Sequence, residues 1–121
     1  IPSGFGGSMQ AHSWIEGFKG AVTVCDTRGV ILEMNDAAAQ VFVKSGGKQL
    51  IGSNVLDCHP ESARAKLESM MAEQRVNVYT TEKNGKKRLI YQSPWYENGE
   101  YMGFVEIGVD VPGEIPNFIR N

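Results

Sequence analysis

The chain has few of the residues on which most site chemistry depends. Of its 121 residues, 2 are cysteine and 2 are histidine. Cys25 and Cys58 lie far apart and form no Cys-x-x-Cys pair. That argues against a disulfide framework or a zinc ribbon and for reduced thiols in a cytosolic protein. The two histidines, His12 and His59, lie far apart with no ligand cluster around either, so no metal site is expected. Lys and Arg total 12 against 14 Asp and Glu, so the net charge is −2. A nucleic-acid binder would need a basic excess that is missing here. No apolar run approaches the ~18–20 residues of a membrane span, so no membrane partner is expected. No basic segment followed by an apolar stretch marks a signal peptide. No glycine loop has P-loop spacing, since Gly46-Gly47-Lys48-Gln49 lacks the leading glycine and the Ser/Thr. No nucleophile–base–orienter set stands out either, so the chain is not expected to be an enzyme.

What remains is an ordinary globular composition, 41% hydrophobic and 21% charged. The length suits a single domain with one modest core. Residues 1–8, Ile-Pro-Ser-Gly-Phe-Gly-Gly-Ser, read as a non-native leader, with Met9 as a native start. Residues 9–111 carry the domain. Pro112 and Pro116 mark residues 112–121 as a tail or linker.

Trp14, Ile15 and Phe18 are spaced for one face of a short helix over 11–19, with Ser13 as its cap and Gly20 as its stop. Residues 21–26 and 30–34 read as two strands of a hairpin around Thr27-Arg28-Gly29. With Glu33 in water, Val30, Leu32 and Met34 should face inward. Asn35 or Asp36 caps a short helix through Ala37–Phe42. Residues 49–59 are irregular. Pro60 and Glu61 open a longer helix, in which Ala63, Leu67, Met70 and Met71 form one apolar stripe. Asn84-Gly85 and Asn98-Gly99 then join three strands, 76–82, 87–96 and 101–111, into an antiparallel meander. Pro94 implies a bulge or an unpaired position in the middle strand. In the last strand Val105, Ile107, Val109 and Val111 share one face, and Glu106 and Asp110 the other. The order of elements predicts an α+β domain, a five-stranded antiparallel sheet with helices packed on one face.

That order, with the segments AVTVCDTRGVILEMNDAAAQVF, LIGSNVLDCHPESARAKLESM and YENGEYMGFVEIGVDV, resembles a PAS domain from about Trp14 to Val111. Asn35, Ala37 and Phe42 stand where that pattern has its asparagine and short helix, and Gly52 where it has a glycine before the longer helix. Gly99, Gly103 and Asp110 match the final hairpin. The chain ends that hairpin in Asp110-Val111-Pro112 where the family has Asp-Ile-Thr. The Cys-His-Pro before the long helix is similar to that of a bacterial subgroup. The resemblance implies a sensory module that binds a small ligand between sheet and helices, forms a homodimer, and passes a conformational change to an output domain or signalling partner.

On that reading the ligand pocket is lined by Met34, Phe42, Leu56, Leu67, Met70, Tyr91 and Ile107. The dimer contact falls on Trp14, Ile15 and Phe18, an apolar helical face that needs cover. His59 is the candidate axial ligand of a haem, which would make the domain a redox or gas sensor. Its plainer role is to cap the helix or to hydrogen-bond a nearby carbonyl. Cys58 precedes it at a helix start, where a thiol pKa falls. Asn54-Val55-Leu56-Asp57-Cys58-His59 does not match the flavin photosensor motif, so flavin is not expected. Cys25 reads as a small core residue, and His12 as an exposed one. Lys83, Lys86, Lys87 and Arg88 read as a solvated hairpin tip. A third reading is a ligand-free interaction module with a filled core.

Overall fold

The structure, a computed structural model, describes residues 13–121. The expected leader over residues 1–8, Met9 and His12 lie outside the described residues. Helix α1 (Ser13–Gly17) leads into β1 (Ala21–Cys25) and β2 (Ile31–Met34). Helix α2 (Asp36–Val41) and three 3-10 turns follow, at Val43–Ser45, Gly47–Leu50 and Val55–Cys58. Helix α3 (Glu61–Glu73) precedes β3 (Asn77–Lys83), β4 (Lys86–Glu97) and β5 (Glu100–Val111). From Pro112 onward there is no regular secondary structure.

The five strands make one sheet in the order β2-β1-β5-β4-β3, antiparallel throughout. The two Asn-Gly turns close their hairpins because both residues of each pair take positive φ, 53° and 77° at Asn84-Gly85 and 53° and 80° at Asn98-Gly99. That backbone twist matches the twist of the flanking strands. The return of β5 to the side of β1 converts a hairpin and a meander into a single sheet.

Asn35 ties the first half together. Its side-chain oxygen accepts from the backbone N–H of Val22 and of Ala38, both at 2.9 Å. Its amide donates to the carbonyls of Ile15 at 2.9 Å and Gly20 at 2.8 Å. One buried side chain thus caps α2 and fastens β1 and α1 to it.

Strand β2 departs from simple alternation. Val24 stands opposite Glu33 but Cys25 opposite Ile31, so Leu32 is an extra residue at a bulge. Ile31 and Met34, three positions apart, therefore both enter the core, at 4% and 3% exposure. Leu32, expected inside, is exposed. A second bulge lies between Trp95 and Tyr96, one residue beyond Pro94. There Gly103 has φ +143°, and a Cβ on it would stand 1.9 Å from the Cys25 carbonyl oxygen. Only a glycine admits β1 so closely. The Trp95 indole N–H donates to that same carbonyl at 3.3 Å.

The helices cover one face of the sheet. Cys25, Phe104, Met70 and Met71 form one core cluster, and Ile31, Met34 and Ala38 another. The far face carries Val22, Leu89, Tyr91, Ile107 and Val109, by the same register. Ile107 was expected to line the pocket, with Glu106 on the opposite face; the structure puts Glu106 on the covered face and Ile107 on the far one. Alternation sorts residues into two faces but does not say which face is covered, and here both are largely apolar.

Candidate functional site

Between the two core clusters the helices stand off the sheet and enclose a cavity of about 240 Å³. Cys25, Ile31, Met34, Leu50, Val55, Leu67 and Phe104 supply its apolar walls. Phe42, Ser45 and His59 form an exposed rim. Thr23, Gln92 and Glu106 give it a polar floor. The volume lies just below the ~300–1,000 Å³ of drug-sized sites, which suits a small molecule.

The floor is one transverse row. Strand register aligns Met34, Thr23, Glu106, Gln92 and Asn77 across β2, β1, β5, β4 and β3. Gln92 Nε2 donates to Glu106 Oε1 at 2.8 Å, and Asn77 Nδ2 donates to Gln92 Oε1 at 2.9 Å. An ionised carboxylate only accepts, so it fixes which way both amides point. Among the described residues no Lys, Arg or His forms an ion pair with Glu106. Burial pushes the Cys25 thiol up from its ordinary pKa, and the nearby Asp26 and Glu106 carboxylates add to that. The thiol in the cavity is therefore neutral at pH 7.

Of the expected pocket residues, Met34, Phe42 and Leu67 line the cavity. Leu56 lies instead in a shallow depression with Arg28, Met71 and Tyr101. Met70 is 2% exposed and serves as core beneath α3. Tyr91 and Ile107 stand opposite each other on the far face of the sheet. The polar floor was missed. Its signal was the pairing of Gln92 with Glu106, which depends on the register of β4 and β5.

A family profile described as the PAS fold matches residues 15–113. The chain belongs to the PAS fold family. Solved PAS structures agree with the observed architecture. The Aer2 receptor of Vibrio cholerae, described as a dual PAS-heme oxygen sensor, superposes with a TM-score of 0.63 at 19% identity, over 81% of this chain and 99% of that one. The PAS domain of Bordetella pertussis BvgS gives 0.62 at 16% identity, over 82% of each chain. The PAS domain of the histidine kinase ThkA gives 0.59 at 18% identity, over 75% of this chain and 98% of that one. No curated protein sequence matches the chain.

In this PAS domain His59 is exposed at the cavity rim. Its Nδ1 lies 2.7 Å from the Val55 carbonyl oxygen, so that nitrogen carries the proton and donates. Of the two plainer roles this is the carbonyl hydrogen bond, and it leaves Nε2 as the nitrogen for any ligand. A ligating histidine commonly has its second nitrogen held this way. The rest of the cavity does not fit a haem. At about 240 Å³ it is smaller than the pocket of a drug-sized ligand, and a porphyrin with two propionates is no smaller. No Lys or Arg lines it to meet the propionates, and Glu106 would face them. Among the described residues no group of three or more His, Cys, Asp or Glu is placed to hold a metal ion. No helix among them is long and apolar enough to cross a membrane.

Before β1, Trp14 is 65% exposed and Phe18 41%. Their rings meet edge to face at 6.4 Å. Phe18 also lies beside Val109 over Gly20, so it borders the far face of the sheet. Lys48 bridges Glu16 of α1 at 2.8 Å and Asp36 of α2 at 2.9 Å.

Proposed function

We propose that this PAS domain is a sensory module for a small molecule held in the cavity between helices and sheet. The carrying observation is the cavity itself, which combines apolar walls with an ordered polar floor. PAS relatives named as an oxygen-sensing receptor and as part of a histidine kinase support a signalling role. The module works in the cytosol, does no chemistry of its own, and acts on an output domain or signalling partner.

The mechanism is a shift between two packings of the helices on the sheet. Phe42, at the end of α2, touches the cavity. At the start of α2, Asn35 holds the Ile15 carbonyl of α1. A ligand that moves Phe42 therefore acts through α2 on α1. Trp14 and Ile15 of α1, with Phe18 just after it, are the proposed homodimer contact, in keeping with the exposure of the two aromatic rings.

Native mass spectrometry of the purified protein tests this. The expected result is a dimer carrying a bound mass of a few hundred daltons or less, with the dimer lost in Trp14→Ala/Phe18→Ala. A bare mass that no added small molecule increases would instead favour a ligand-free interaction module.

A further inference from the structure

Glu106 brings the one carboxylate to a cavity whose walls are apolar and whose other floor residues, Thr23 and Gln92, are uncharged, and no cation among the described residues pairs with it. Carboxylates that leave bulk water are normally paired with a cation or protonated. This one is half-buried, is held in a fixed orientation by Gln92 at 2.8 Å, and has no ion-pair partner among the described residues. Gln92 is in turn held by Asn77 at 2.9 Å. One carboxylate oxygen is thereby committed to Gln92, and the other remains available as an acceptor. The row works as a pre-set acceptor whose ordering cost is met before any ligand arrives.

We propose that the cavity selects a small organic cation, an apolar body of about one ring bearing a protonated amine. The ammonium group would sit on Glu106, beside Thr23. The apolar body would pack among Met34, Leu67 and Phe104. An anion would meet the carboxylate directly and is excluded. A neutral molecule of the same shape would fill the walls but leave the charge unanswered. This inference rests on the ligand-cavity reading above and names its ligand class.

The test uses three probes of matched shape: 2-phenylethylamine, 2-phenylethanol and 3-phenylpropionate. Each is titrated into the whole chain at pH 7 and followed by methyl and amide chemical shifts. The amine should bind at least about tenfold more tightly than the alcohol, the scale of one charge-assisted hydrogen bond. The propionate should not bind. In Glu106→Gln the amine should weaken to the level of the alcohol. In Gln92→Met the carboxylate stays but loses its positioning donor, and the preference should shrink without vanishing. Equal binding of alcohol and amine to the wild-type protein would overturn the charge selectivity while leaving the cavity as a ligand site. So would an amine preference that survives in folded Glu106→Gln. Binding of none of the three would overturn both readings. The three-probe comparison in the wild-type protein needs no variant to fold.

Discussion

Gln92 gives its amide hydrogen to Glu106 across neighbouring strands at 2.8 Å. The pair sits on the covered face of the sheet, at the floor of the cavity, rather than on the wet side where a Glu among valines would be placed by habit. The carboxylate sets the direction of the whole row, because it can only accept. A sheet face that would otherwise be plain core thus gains one oriented polar line.

Asn35 should be among the least replaceable residues in the domain. Asn35→Ala strands two backbone donors and two carbonyls and removes the cap of α2. We expect a loss of about 3 kcal/mol in urea unfolding. Asn35→Asp keeps the acceptor but turns a carboxylate oxygen on the Ile15 and Gly20 carbonyls. It should cost at least about 2 kcal/mol. A loss below about 1 kcal/mol in both variants would mean the four hydrogen bonds are not formed together.

Gly103→Ala should be severely destabilising, by about 3 kcal/mol or more, because its Cβ would collide with backbone. Gly99→Ala also faces a positive φ but meets no atom within 4 Å, so it should cost about 1 kcal/mol. Equal losses at the two sites, by thermal or urea unfolding, would show that strain and not close approach sets the requirement.

Cys25 should resist iodoacetamide at pH 7.5 in the folded protein, since burial raises its pKa. The same shift makes stability depend on pH. A thiol whose folded pKa lies above its unfolded one contributes its full stability below the unfolded value, ordinarily near 9.0. That contribution fades as pH rises through the folded value. The melting temperature of the wild-type protein should therefore fall above about pH 9 more steeply than that of Cys25→Ala. Parallel curves would remove Cys25 as the cause.

Haemin should bind without specific coordination. The expected spectrum of the mixture has no sharp Soret band that depends on His59. A strong band abolished by His59→Ala would show that the cavity opens far enough to take a porphyrin, against its size and charge.

Much of the fold was legible in the residues. The two Asn-Gly pairs, the Asn35-Asp36 cap, of which the structure uses Asn35, and the Ala63–Met71 stripe are local signals, and each marks an element found close to its expected bounds. The candidate site was less legible, because its composition depends on which face of the sheet is covered. Leu32 shows the first difficulty: a single bulge residue shifts the period, and Ile31 replaces it inside. Ile107 and Tyr91 show the second. Val105, Ile107 and Val109 look like a core stripe, and only the placement of α3 and Phe104 on the opposite face reveals the true floor. Leu56 and Met70 fall out of the site for a third reason, since neighbours along one segment can serve cavity, core or surface within a single turn.

The most direct test is a methyl-resolved titration of the wild-type protein and of Leu67→Trp with 2-phenylethylamine. Leu67 lines the cavity from α3, and an indole there should fill it. The account predicts saturable shifts at the Met34, Val55 and Leu67 methyls of the wild-type protein, with Ile107 and Val109 little changed. It also predicts that the shifts at Met34 and Val55 disappear in Leu67→Trp. Shifts centred on Ile107, Val109 and Leu89, unaffected by Leu67→Trp, would place the binding surface on the far face of the sheet and contradict the cavity as the site.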